Sequence, residues 1–559
     1  MQILKWSVRI LLFVVVVLFL VPMATPAMAA PPVDWSKLDA ALTQVMKAKP
    51  GGNFSVIIEV GSPKGTEKDN KEKGKEKGKG IDRANEALGH IRNAGGRAKN
   101  KLALIGGHTA DLKWDAIAIL SHNPRIRRIS LDRPLVVLGP MSAPGGLASV
   151  YTQVVRAPEV WAMGYTGQGI GIAVIDSGVY AGNDIGGRLV ARVDLVNPNG
   201  NATDPGGHGT HVAGIAAGNG TDSVTYSGGV YKGIAPNANI ISIRVINGNG
   251  LATASSVIRG IHWAVQNRNT YNIRVINLSL GSPPQGSYKG DPVVTAAEVA
   301  WHAGIVVVSA AGNRGPIAGT VESPGIDPYS ITVGALDDNM TVATSDDVIA
   351  WFSSRGPTPD NFPKPDLVAP GRRIVSLYSP SSYLAGFLLD RLMSIGGGKN
   401  YFRLSGTSQA TPVVSGVVAL MLEKNPTLKP NQIKFILKNT ARPLSGVGVN
   451  IGGNGVADAY SAATTTNIGL ENRGLRPTDA FAINVYPLIA GQPLSWKDPN
   501  YMGVNWSNLT WDNLTWDNLT WDNLTWDNLT WDNLTWDASA NWDSLWASGN
   551  AWQSLADLD

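Results

Sequence analysis

Between about residues 149 and 465, short and almost unbroken apolar runs alternate with segments of helical spacing, and no other feature of the chain narrows its fold as far. The runs are Gly169 to Ile175, Ile240 to Ile246, Arg274 to Leu280, Ile305 to Ala310 and Ile331 to Gly334. They lack the strict alternation of a half-exposed strand and read as strands buried on both faces. Ser255 to Gln266 and Val293 to Ala303 lie between them with helical spacing, and the apolar stretch Val413 to Leu422 follows as a further helix. Such alternation predicts an α/β fold: a doubly wound, mostly parallel sheet with helices on both faces, joined by right-handed crossovers. In sheets of this kind chemistry gathers at the carboxyl ends of the strands.

The chain has 559 residues, which at roughly 150 per domain leaves room for more than this unit. Residues 31–140 read as a separate small α+β domain. Phe54 to Val60 is a strand, Ile81 to Ala94 helical, Lys101 to Ile105 extended, Trp114 to Ser121 helical and Ile126 to Leu131 extended, an order that suggests a ferredoxin-like unit. Inside it, 62–80 is a run of Lys, Glu and Gly with nothing to bury. Its glutamates interleave the lysines, so it reads as a solvated loop, and a net charge of +4 gives no case for a nucleic-acid partner.

Residues 1–30 carry Lys5 and Arg9, an apolar stretch Ile10 to Val21 and the small-residue site Ala27-Met28-Ala29, the pattern of an export signal. An uncleaved anchor is the competing reading, but Pro22, Thr25 and Pro26 interrupt the run before the roughly 20 residues that span a bilayer. The expected location is extracellular, secreted or at the cell surface. There is no cysteine, so thiol catalysis, thiolate metal sites and disulfide staples are excluded. Residues 466–505 read as a linker. The tail, 506–559, repeats Trp-Asp-Asn-Leu-Thr every five residues at Trp511, Trp516, Trp521, Trp526 and Trp531. That period fits neither helix nor strand, and leaves open a folded pentapeptide-type coil, a tail that contacts the cell surface, and a flexible low-complexity tail.

Three glycine-punctuated segments of the alternating domain carry chemistry. In Ala173-Val-Ile-Asp176-Ser-Gly-Val179 a buried strand ends on an acid, costly unless a cation or donor meets it; a loop-capping aspartate is the plain alternative. In Gly207-His208-Gly-Thr-His211-Val-Ala-Gly214 the glycines let another backbone approach the ring. The two histidines could also suggest a metal, but a spacing of three without an adjacent Glu is unlike the zinc-protease pattern, and no metal site is expected. In Leu404-Ser-Gly-Thr-Ser408-Gln-Ala-Thr-Pro412 the serine falls at the start of an apolar helix, where free amides favour negative charge; an N-cap serine would look the same.

Together these form the Asp, His, Ser order of subtilisin, and the chain resembles the subtilisin-like serine peptidases, the subtilases. Asn277-Leu-Ser-Leu-Gly281, Ala310-Ala-Gly-Asn313, Phe352-Ser-Ser-Arg-Gly-Pro357 and Lys364-Pro-Asp-Leu-Val-Ala-Pro-Gly371 extend the resemblance along the domain 149–465. It implies a serine endopeptidase of subtilisin-like fold acting on polypeptide substrates through an acyl-enzyme. Ser408 would be the nucleophile, His208 the general base, Asp176 its orienting partner, and Asn313 with the Ser408 amide the oxyanion donors. Substrate would lie along Ser279, Leu280 and Gly281 and along Ala310, Ala311 and Gly312. Counting back from Ser323-Pro324-Gly325, Glu322 falls at the floor of the primary specificity pocket, where the family often has a small residue, and would favour Arg or Lys; a rim glutamate facing water is the alternative. Residues 31–140 would be an inhibitory prodomain, cut away after folding. No cofactor is required for the chemistry; the resemblance admits calcium but assigns it no site. The segment Pro380 to Arg403, with Gly396-Gly-Gly398 in it, is long enough to cover the cleft. A catalytically silent surface protein using the Trp-rich tail is the rival reading.

Overall fold

A strand without a polar face needs cover on both sides, and the computed structural model, which describes residues 32–61, 83–137, 149–200, 203–227 and 231–484, provides it. Numbered along the chain, the leading unit holds β1 (Asn53–Val60), β2 (Arg97–Leu102), β3 (Gly107–Lys113), β4 (Ile126–Leu131) and β5 (Pro134–Val137). Then follow β6 (Gly171–Asp176), β7 (Leu189–Asp194), β8 (Asn239–Arg244), β9 (Leu251–Thr253), β10 (Ile273–Leu278), β11 (Leu280–Gly281) and β12 (Val306–Ala310). The last are β13 (Ile331–Asp337), β14 (Val348–Ile349), β15 (Leu367–Pro370), β16 (Ile374–Leu377), β17 (Leu392–Gly396) and β18 (Lys399–Leu404).

The central sheet runs β14-β13-β12-β10-β6-β8-β7, with β15 also on β13, and every neighbouring pair is parallel except β13 with β14. All residues of β6, β12 and β13 are buried. Successive side chains of a strand point to opposite faces, and β6 shows what covers each. Ile175 packs on Gly260 of the helix Ala254–Gln266, while Asp176 packs on Gly209 of the helix His208–Ala217. The helix Pro292–His302 joins the first of these, and Thr407–Lys424 joins the second.

The expected strand Arg274 to Leu280 divides in two, because Ser279 leaves the sheet to bond with Ser408. Several strands, β7 and β15 among them, escape a search for apolar runs. β7 is an edge strand with alternating exposure, and β15 is only four residues long. The segment before Ser408 is a hairpin: β18 pairs antiparallel with β16 and β17, and Gly396, Gly397 and Gly398 take positive φ at its turn. Within the same segment the helix Tyr383–Phe387 rests on the loop preceding His208, through Tyr383 N to Pro205 O (2.8 Å) and Leu384 N to Gly206 O (3.1 Å).

The leading unit is an antiparallel sheet of order β2-β3-β1-β4 with its own core of Leu42, Met46, Val56, Ile58, Ile91, Leu112, Ile117 and Ile129. Lys101 to Ile105, expected as a strand, is the end of β2 followed by a 3₁₀ turn, Ala103–Ile105, closed by Gly106 at φ 63°. The apolar side chains there serve an interface, since Leu102, Leu104 and Ile105 merge with the core of the larger unit. Residues 466–484, expected as the start of a linker, pack on that unit as well. Phe481 is buried with its ring 4.5 Å from His302, and Thr478 donates from N and Oγ1 to Glu298 Oε2 (2.7 and 2.8 Å). Sequence periodicity does not reveal such a partner for a lone aromatic. The expected signal 1–30, the charged loop 62–80, residues 485–505 of the linker and the tail 506–559 lie outside the described residues.

Candidate active site

Asp176 ends β6 with its carboxylate fully buried. Oδ1 accepts from Ser177 N (2.7 Å), and both oxygens face His208 Nδ1 at 2.9 and 3.0 Å. That contact fixes the tautomer: Nδ1 carries the proton it donates to the carboxylate, and Nε2, which has no hydrogen-bond partner among the described residues, keeps its lone pair. The approach is close enough to require glycine at 209, where a Cβ would sit 2.1 Å from Gly178 O. Gly207, at φ 96°, turns the chain into the helix that His208 begins.

Asp204, which the sequence reading passed over, holds that helix end. Its carboxylate accepts from Ser177 Oγ (2.7 Å), Gly207 N (2.7 Å), Thr210 N (2.8 Å) and Thr210 Oγ1 (2.6 Å). An acid shortly before a helix start was the available signal. His211 is structural: it is buried, with Nε2 2.9 Å from Phe402 O, and desolvation followed by the nearby His208 lowers its pKa to about 3.

Ser408 lies in the first turn of Thr407–Lys424, where the leading amides have no helical partner. Its hydroxyl donates to Ser279 O (2.9 Å), and Ser279 Oγ donates back to Ser408 O (2.9 Å). No hydrogen bond joins Ser408 Oγ to His208 Nε2; apo sites often leave this contact unmade. The two groups are still neighbours by topology. β10 lies beside β6 with Asn277 opposite Val174, so Ser279 and Asp176 leave the sheet side by side. Asn313 stands next to them, its Oδ1 accepting from Thr407 N and Thr407 Oγ1 (both 2.9 Å) while Nδ2 is buried without a partner among the described residues. One end of the amide is thus anchored and the other is free to donate.

β5 of the leading unit occupies the groove beside these residues. It pairs antiparallel with β11, Leu280 opposite Val137 and Gly281 opposite Val136, and on its other edge with β9, Leu135 opposite Ala252. Leu135 is fully buried there. Leu251–Thr253 is therefore the second strand of the groove, whereas Ala310, Ala311 and Gly312 pair with no part of β5. Arg133 anchors the start of the strand by donating to Asp291 Oδ2 (2.6 Å) and Ser323 Oγ (2.9 Å), all of them buried. Asp132 accepts from Ser255 N (3.0 Å) and Ser255 Oγ (2.8 Å) in the first turn of Ala254–Gln266.

Glu322 is not a rim residue. It is 1% exposed, its N–H donates to Ala311 O (2.9 Å), and its side chain lies between Gly281 of β11 and Gly312. A Cβ at Gly281 would come within 2.8 Å of its Oε2, and one at Gly312 within 2.7 Å of its Cγ. Oε2 has no hydrogen-bond partner among the described residues, and burial raises the pKa to about 7 against an opposing pull from Arg314. Among the described residues no cluster of three or more His, Asp or Glu is arranged to hold a metal.

The sequence model of the Subtilase family matches residues 167–467. Serine protease AprX of Bacillus subtilis (strain 168) is 39% identical over 396 residues, 68% of this chain and 84% of the relative. Subtilisin DY of Bacillus licheniformis is 35% identical over 294 residues, 52% of this chain and 90% of the relative. Among solved structures, fervidolysin of Fervidobacterium pennivorans, a keratinolytic enzyme related to subtilisin, has the same fold, with a TM-score of 0.56 at 23% identity. That likeness covers 76% of this chain and 63% of fervidolysin. A parallel sheet ending on a paired Asp176 and His208, with Ser408 at an adjacent helix start, agrees with the family match, and the chain belongs to the subtilases as a serine-type endopeptidase.

Proposed function

We propose that this chain is the precursor of an exported endopeptidase that cleaves extended polypeptide through an acyl-enzyme formed on Ser408. The observation that carries the reading is the Asp176–His208 pair, with Nε2 unpaired next to a serine at a helix start. In the reaction, Ser408 Oγ leaves the Ser279 carbonyl by rotation about χ1 and gives its proton to His208 Nε2 as it attacks the substrate carbonyl. Asp176 holds the ring in the tautomer able to accept that proton and stabilises the imidazolium. Asn313 Nδ2 and Ser408 N receive the developing oxyanion, and their value lies in being oriented before the charge appears. His208 then protonates the leaving amine, and water completes hydrolysis by the same route.

Residues 31–140 act in this reading as an inhibitory prodomain, supported by β5 lying between β9 and β11 as an extended substrate would. Strand addition of this kind uses backbone hydrogen bonds and favours unfolded chains as substrates. Self-cleavage then falls in the stretch 138–148, between the groove strand and the catalytic domain. Export rests on the segment 1–30, and among the described residues no helix is long and apolar enough to cross a membrane. Two measurements test the proposal together. Casein hydrolysis is expected from the wild type and absent in Ser408→Ala, which stays at precursor mass, while the mature wild-type N-terminus begins within 138–148. Equal hydrolysis by Ser408→Ala would overturn the assignment.

A further inference from the structure

The chain that follows the matched residues 167–467 is built onto the larger unit by contacts of its own. Glu471 N donates to Asn431 O (3.2 Å), Asn472 Nδ2 donates to Tyr329 O (3.0 Å), and Lys438 Nζ donates to Glu471 Oε2 (2.9 Å). The hydroxyls of Tyr329 and Tyr288 donate to the carbonyls of Leu475 and Arg476, and Thr478 and Phe481 dock on Glu298 and His302. None of these contacts involves residues 31–140, so the segment keeps its place when the leading unit departs.

The leading unit lies against that segment. The short helix Asp479–Asn484 packs on the 3₁₀ turn Ala103–Ile105 of the leading unit as well as on the helix Pro292–His302 and the turn Tyr288–Gly290. Leu104, Ile105 and Phe481 belong to one core. Two arginines of β4 reach out of the leading unit beside it. Arg128 lies on Gly290, where a Cβ would sit 2.2 Å from its Nη1, and Arg127 Nη2 is 3.9 Å from Asp479 Oδ2. Two acids act on Arg127, Glu59 of its own sheet and Asp479. Arg476 Nη2 donates to Asp479 Oδ1 (2.7 Å) and so positions this carboxylate from the side of the larger unit.

We propose that residues 471–484 form a docking platform for the leading unit, separate from the groove, and that this platform prolongs inhibition after self-cleavage. The inference rests on the reading of residues 31–140 as an inhibitory prodomain and adds a second anchor that lies beyond the family-matched domain. Once the bond within 138–148 is cut, only noncovalent contacts retain the leading unit, and β5 competes for the groove with every incoming substrate. An anchor outside the groove escapes that competition. It keeps a displaced β5 nearby, so that the strand returns in an intramolecular step at high effective concentration.

The experiment uses the full-length precursor and follows casein hydrolysis after self-cleavage, the delay before full rate measuring retention of the leading unit. A part-exposed ion pair shifts an equilibrium by up to about fivefold, and like charges across an interface oppose docking. Asp479→Arg is therefore expected to shorten the delay about fivefold, and the double variant Arg127→Asp with Asp479→Arg to recover most of it. Matured enzyme freed of the leading unit is expected to keep the wild-type kcat/KM on a peptide in both variants. A wild-type delay in Asp479→Arg, or a shortening that the double variant does not recover, overturns the platform and leaves the prodomain reading standing. A reduced kcat/KM in matured Asp479→Arg traces the effect to the fold and overturns the platform as well. A wild type that shows no delay, its leading unit never found bound after cleavage, overturns both.

Discussion

Asn313 is held by its oxygen, since the Thr407 N–H can only donate and so identifies the atom that faces it. The amide nitrogen is thereby aimed at the site before substrate arrives. Asn313→Ala should lower kcat with little change in KM, because the lost bond forms mainly as charge develops. The loss observed when a subtilisin loses this donor, roughly 100- to 1,000-fold in kcat, is adopted as the expected size. Steady-state kinetics on one peptide series decides it, and a rise in KM alone would contradict the role. Gly209→Ala fails for a different reason. Its Cβ would sit 2.1 Å from Gly178 O and 3.2 Å from the Asp176 Cβ, so it should both destabilise the fold and displace His208, seen as lower melting temperature and lost activity. The residue types at these positions were legible as motifs. The unpaired Nε2, the free Nδ2 and the burial of Glu322 were not, because each depends on what is absent around an atom in space.

At the level of elements, His208, the general base of the proposed mechanism, depends on how its helix begins. Asp204 accepts four hydrogen bonds at that end, and its removal leaves buried donors unpaired at a cost of ~1–3 kcal/mol each, partly relieved by relaxation. Asp204→Ala should therefore lose about 2–4 kcal/mol of stability and much of kcat. Urea unfolding in a Ser408→Ala background, which excludes self-digestion, measures the first, and kinetics the second. The groove strand is held in a comparable way by Arg133, buried against Asp291 and Ser323. Truncating one partner of such a pair costs roughly 2–5 kcal/mol, much of it from the charge left behind. Arg133→Ala should loosen the leading unit from the groove and, if that unit inhibits as proposed, bring forward the onset of casein hydrolysis; an unchanged lag would argue that pairing with β9 and β11 suffices. The apolar strands β6, β12 and β13 were legible because a fully buried strand has no choice of composition. β7, β15 and the hairpin of β16, β17 and β18 were not, since short or edge strands are recognised by their partners rather than by their own pattern.

Over the whole molecule, two buried histidines, His211 and His302, and the half-buried His262 make stability depend on acidity. Burial lowers His211 and His302 to about 3 and His262 to about 4. An unfolded histidine takes its proton near 6.5, so below that the unfolded chain binds a proton that the folded one refuses. The stability each contributes is complete above 6.5 and is lost as pH falls, at up to ~1.4 kcal/mol per pH unit. His302→Gln in the Ser408→Ala background should therefore lose about 2 kcal/mol less than its parent between pH 7 and pH 5, by urea unfolding at each pH. An equal loss would mean that His302 is already charged in the folded state. By itself the sequence determined the fold class and the family and singled out Asp176, His208, Asn313 and Ser408 for the roles proposed above, because buried strands, tight glycine turns and acyl-transfer chemistry each tolerate few residue types at few spacings. Tertiary structure alone decided that β9 completes the groove, that Phe481 and Thr478 dock the chain beyond 465, and that Glu322 lies sealed beneath the cleft. Those outcomes depend on which distant groups meet and what water they exclude, and local composition does not encode that.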